Sequence, residues 1–251
     1  LVGFIRDNNG DAFIEIQYVN FLNCYMQSSE DSGGLIGRAD ITDGKIYRIS
    51  LTIDISIKQA SWMEDIGGLI GSLYADLDFK IDECSHRGYV YSQEDIGGFI
   101  GTHSDNVEIN NCYHIGEIRG SGESACVGGF IGNLASNGEI TNCYSAGRIN
   151  ISDNDTDTDI GGFIGEDNNS YNILNCYYDK EVASLDKGEN GRGSPRSTSE
   201  MTAPYNPGTT YISWDFDNVW EINPFYNNGY PYLQWEDPAN GLIPESWTSN
   251  Y

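Results

Sequence analysis

Gly128-Gly129-Phe130-Ile131-Gly132, followed by Gly138-Glu139-Ile140-Thr141-Asn142-Cys143-Tyr144-Ser145-Ala146-Gly147-Arg148-Ile149, decides the fold, because the chain repeats it. Its first block recurs as Val2-Gly3-Phe4-Ile5, Gly33-Gly34-Leu35-Ile36-Gly37, Gly67-Gly68-Leu69-Ile70-Gly71, Gly97-Gly98-Phe99-Ile100-Gly101 and Gly161-Gly162-Phe163-Ile164-Gly165. The second glycines stand at 3, 34, 68, 98, 129 and 162, so the spacing is 30 to 34 residues. The second block recurs as Asn23-Cys24-Tyr25, Asn111-Cys112-Tyr113 and Asn175-Cys176-Tyr177, and in degenerate form as Glu83-Cys84-Ser85. The second unit has Ile49-Ser50-Leu51-Thr52-Ile53 and no cysteine. A fixed period of this length is the mark of a stacked repeat.

Apolar and polar residues alternate around both blocks, as in Gly147-Arg148-Ile149-Asn150-Ile151-Ser152, and helical stripes are absent. One such unit cannot bury its own apolar face. Stacking does so, with strands ~4.8 Å apart and like residues above like. The expected fold is all-β: a parallel β-solenoid of about six coils over residues 1–178. Three short strands per coil are expected, at Gly-Phe-Ile-Gly, through Asn-Cys-Tyr and at the following Gly-x-Ile. The abundant glycine fits positive φ or close backbone approach.

The two blocks together resemble the GLUG repeat of large bacterial and archaeal surface proteins, which include adhesins and immunoglobulin A-cleaving metallopeptidases. The resemblance covers residues 1 to about 178, and the tail is similar to segments that close such arrays. It implies a solenoid in an extracellular, cell-surface, filament or virion setting. The repeat serves proteins with different tasks, so it does not imply one activity.

Acidic residues outnumber basic ones 38 to 13, for a formal charge of −25. Such a chain repels nucleic acid and anionic lipid, which excludes both as partners. No run approaches the ~18 apolar residues of a membrane span, and no signal peptide is visible. Leu1-Val2-Gly3-Phe4-Ile5 reads as the middle of a unit, so the chain is expected to start inside a longer polypeptide or after a processed segment. An uncapped first coil would then dock a neighbouring repeat or a second copy of the chain.

Cys24, Cys84, Cys112, Cys143 and Cys176 share one repeat position and are expected as a ladder of buried free thiols, since parallel neighbours do not readily meet disulfide geometry. Pairing of Cys126 with Cys112 or Cys143 is the alternative. A second ladder precedes the glycine pairs: Asp31, Asp65, Asp95 and Asp159, broken by Cys126. An Asp there can accept the N–H two residues on and fix the turn. The alternative is a column bridged by Ca²⁺. Asp153, Asp155, Asp157 and Asp159 can also wrap a hard cation, although Thr158 and Ile164 stand where an EF-hand needs Gly and Glu. No other cofactor is implied.

Residues 179–251 hold Trp214, Trp220, Trp235 and Trp247 among many tyrosines. They are expected as a loop and an aromatic cap over the open end of the last coil; a sugar-stacking platform is the alternative. No His-Glu-x-x-His, Gly-x-Ser-x-Gly or Walker motif is present, and the glycine blocks lack a βαβ context, so no catalytic residue is assigned. Asn150, Asn154 and Asn168 open glycosylation sequons. Three readings follow: a structural or adhesive surface module binding glycans or a host surface, a self-assembling filament subunit, and a polysaccharide-binding or -degrading β-helix.

Overall fold

The computed structural model describes residues 2–6, 13–28, 31–57, 65–75, 79–92, 95–104, 106–120, 126–135, 137–151, 159–167, 171–184, 192–204 and 208–236. Within them the repeat blocks form a parallel β-solenoid. One six-stranded sheet stacks Val2–Arg6, Ile36–Ile41, Ile70–Ala75, Ile100–Ser104, Ile131–Leu134 and Ile164–Asp167. A five-stranded sheet is built from the short segments that end on the first glycine of each pair, such as Ile66–Gly67 and Ile96–Gly97. The third sheet carries two columns of strands, one before and one after the Asn-Cys pair, joined through the long strands Phe13–Ser28 and Asp43–Ile57.

The expected strand through Asn-Cys-Tyr is therefore two strands. In the fourth unit Val107–Asn110 ends just before Asn111 and Tyr113–Gly120 starts at the tyrosine. The cause is local: Asn111, Asn142 and Asn175 have φ near +52° to +53°. Asparagine tolerates this left-handed conformation better than most residues, so it makes the corner. Glu83, Arg48 and Tyr18 hold the same corner in the earlier units, at φ of +49°, +54° and +57°.

About four turns, from Ile36 to Gly161, carry every segment of the unit, where the sequence counts about six coils. The first unit is joined through residues outside the described set. Among the described residues the last does not return to the five-stranded sheet: the chain enters helix α1 (Lys180–Ala183), which Asp179 caps by accepting from the Glu181 and Val182 N–H groups.

The core follows the period. Ile36, Ile70, Ile100, Ile131 and Ile164 are in register and buried. Phe99, Phe130 and Phe163 stack with centroids 4.7 and 4.9 Å apart and rings 6° and 4° from parallel. The second glycines act by close approach rather than by positive φ. A Cβ at Gly68, Gly98 or Gly162 would collide with His86, His114 or Tyr178 across the core.

Candidate functional site

The described part of the aromatic tail, residues 208–236, does not lie over the end of the last coil. It forms a plate along the outer side of the third sheet. After the inward cysteine, or Ile49 in the second unit, the next residue points outward, and these residues align as Ser50, Ser85, Tyr113, Tyr144 and Tyr177. Tyr113 and Tyr144 stack at 5.0 Å. Trp214, Trp220, Tyr211, Tyr230 and Tyr232 cover this column in a second apolar cluster, separate from the solenoid core. Trp220 Nε1 donates to Asn111 Oδ1 at 3.3 Å, and Trp214 Nε1 donates to the Asn175 carbonyl at 2.9 Å. Trp235 packs at the margin of the cluster, and Trp247 lies outside the described residues.

Other residues close the last coil. Ala183 of α1 belongs to the solenoid core, Gly193 packs on the Phe163 ring, and Arg192 pairs with Asp167 at 2.6 Å. Ser194–Arg196 adds one more strand beside Tyr177–Asp179. The tryptophans sit laterally because the outward tyrosines offer an apolar strip that a plate can bury.

A buried ion pair pins the far edge of the plate. Arg87 and Glu236 have fully buried side chains and meet at 3.0 Å. Glu236 Oε1 also accepts from Ser50 Oγ at 2.8 Å and Ser85 Oγ at 2.5 Å, and Oε2 accepts from Tyr113 OH at 2.7 Å. Arg87 Nε donates to Asn227 Oδ1 at 3.2 Å, and its guanidinium lies 4.9 Å from the Tyr113 ring centre. Sequence reasoning missed this pair. Arg87 interrupts the column that holds Ile115 in the next unit, which is a visible signal, but nothing in the sequence points to Glu236 as its partner.

The thiol ladder runs through Cys84, Cys112, Cys143 and Cys176, all free and buried. The Cys112 Sγ accepts from the Cys84 N–H and the Cys143 Sγ from the Cys112 N–H, each at 3.4 Å. Burial pushes the Cys112 and Cys176 thiols up. Cys24 is not on this ladder. Its unit turns the corner at Tyr18, and the register sets Cys24 beside Ile53 after a shift between Phe21 and Cys24. Cys126 pairs with neither Cys112 nor Cys143: it is free, and its Sγ donates to Glu166 Oε2 at 3.2 Å.

The aspartate ladder faces a second row seven residues on. Asp31 meets Arg38 at 3.4 Å, Asp65 accepts from Ser72 Oγ at 2.6 Å, and Asp95 accepts from Thr102 Oγ1 at 3.3 Å. Asp31 Oδ1 accepts from the Asp65 N–H at 3.0 Å, so the backbone donor sits one coil away rather than two residues on. Desolvation raises Asp65 to about 6, opposed by its Ser72 bond and reinforced by the neighbouring Asp95 and Asp31. Asp159 is exposed and in register with Cys126. Among the described residues no three His, Cys, Asp or Glu side chains converge on a metal-binding arrangement. Asp153, Asp155, Asp157, Asn154 and Asn168 lie outside the described residues, and Asn150 is exposed on its strand.

These features define a laterally plated parallel β-solenoid. Residues 123–150 match the family model of the GLUG motif. No curated protein matches the chain. Among solved structures the fold is similar to that of "a putative immunoglobulin A1 protease from Bacteroides ovatus", with a TM-score of 0.62 and 17% identity over 89% of this chain and 69% of that one. Likeness at that identity concerns the fold alone. No helix among the described residues is long and apolar enough to cross a membrane.

Proposed function

We propose that this chain is a rigid structural and attachment module of an extracellular surface protein. The observation that carries the reading is how the repeated polar side chains are used. The thiol column and most of the aspartate column bond from rung to rung or to the facing row, and so stiffen the stack. The outward tyrosine column is in turn occupied by the plate. Like residues stacked along one axis give a rod whose outer surface can display contacts at fixed spacing. A net charge of −25 keeps such a rod soluble and separates it from anionic surfaces.

The test is deletion of this segment from the parent protein in its native cell. Attachment to glycan- or protein-coated surfaces should fall, with surface expression unchanged. Unchanged attachment together with loss of a turnover reaction would overturn the reading.

A further inference from the structure

A cleft of about 310 Å³ lies where the plate meets the outer face of the third sheet. Its floor is apolar and buried: Ile115, Gly116 and Ala146 from the solenoid, with the Tyr230 ring from the plate. Val182 of α1 and Thr198, the first residue of helix α2 (Thr198–Met201), form one side. Arg148 and Asn228, both exposed, stand on its lining.

Arg148 is unlike the other cations whose side chains are described. Arg38, Arg48, Lys80, Arg87, Arg119 and Arg192 all pair with carboxylates. Lys45 lies over the Tyr47 ring and Arg196 donates to backbone carbonyls, while Lys180 is also engaged. Among the described residues Arg148 has no such partner. That is notable in a chain with 38 acidic residues and 13 basic ones. Its register neighbour Glu117, also on the cleft, is the obvious mate, yet Glu117 Oε1 accepts from Arg119 Nε at 2.8 Å. One guanidinium is thus left uncompensated beside an apolar floor.

We propose that this cleft binds a small sugar acid, a uronic acid residue or similar monosaccharide carrying one carboxylate. The guanidinium takes the carboxylate, for which its planar fork is suited. The C–H face of the ring lies on Ile115, Ala146 and Tyr230. The volume is at the low end for ligand sites and suits about one ring. The strongly negative surface repels polyanions at long range, so the ligand carries a single charge near the site. The proposal supplies a ligand class for the attachment reading and stands on the cleft itself, so a deletion phenotype and a titration can fail separately.

The experiment is calorimetric titration of the full chain with glucuronate and galacturonate, with glucose and an acidic dipeptide as controls. The uronates should bind with a Kd on the order of millimolar. Arg148→Gln should weaken binding roughly tenfold or more, while Arg148→Lys retains part of it. The Arg148 side chain is exposed and bonds to none of the described residues, so the melting temperature of Arg148→Gln should match that of the parent, which separates lost recognition from lost folding. Absence of uronate binding at about 10 mM, equal binding of glucose, equal binding of the dipeptide, or full affinity in Arg148→Gln would each overturn the assignment.

Discussion

Replacing Glu236 with Ala tests how the plate is held. The substitution leaves Arg87 fully buried without its carboxylate and removes the acceptor for Ser50, Ser85, Tyr113 and the Leu233 N–H. Breaking a buried pair from one side costs about 3–5 kcal/mol. Arg87 keeps Asn227 Oδ1 at 3.2 Å and Ser50 Oγ at 3.1 Å, which offsets part of the loss and sets the expectation at about 3 kcal/mol. The assay is urea unfolding followed by tryptophan fluorescence and far-UV circular dichroism, with hydrogen exchange read by segment. Protection should fall first in 211–236 and persist in the core strands Ile70–Ala75 and Ile100–Ser104. The double variant Arg87→Met with Glu236→Leu removes both charges and should recover to within about 1 kcal/mol of the parent. A change below about 0.5 kcal/mol in Glu236→Ala, or equal loss of protection throughout the solenoid, would refute the reasoning.

Other outcomes follow from the same geometry. Burial lowers His86 to about 4, and His114, packed 5.1 Å from it, well below its ordinary value. The unfolded chain therefore takes up protons that the folded chain refuses. The stability His86 contributes is full above about pH 6.5 and is lost as pH falls toward 4, and His114 acts in the same direction. Asp65, raised to about 6, runs the other way: its contribution is present below about pH 3.8 and is lost as pH rises through 6. Asp65→Asn should thus steepen the fall in urea midpoint between pH 7 and 5, and an unchanged slope would contradict this. Gly98→Ala should cost about 3 kcal/mol or more, because its Cβ would strike His114 and the Gly129 carbonyl, and thermal melting checks it. The five described thiols should resist alkylation in the native chain and react on unfolding; reaction of Cys112 before the melt would argue against the ladder.

The solenoid was legible because its signal is periodic: the Ile and Phe rungs repeat in sequence as they do in space. The corner before the thiol was half legible. Asn111, Asn142 and Asn175 mark it, but Tyr18 does not, and the out-of-phase Asn23-Cys24-Tyr25 mimics the pattern without occupying its rung. The plate's position was not legible. Aromatic density signals burial but does not say against what, and the lateral site depends on outward tyrosines whose alignment exists only once the coils are stacked. The Arg87–Glu236 pair spans 149 positions and has no local signature. The cleft joins residues from two strands, two helical turns and the Asn227–Gly229 turn, and periodicity says nothing of such a meeting.

The most direct test of the laterally plated solenoid is a benzophenone photo-cross-linker in place of Trp220, with the cross-linked peptides read by mass spectrometry. Trp220 is fully buried against Asn111, Tyr113 and Tyr144. Cross-links to peptides holding those residues, in units before the last coil, are the predicted result. Cross-links confined to Phe163 through Tyr178 would place the aromatic tail over the end of the stack and contradict the account.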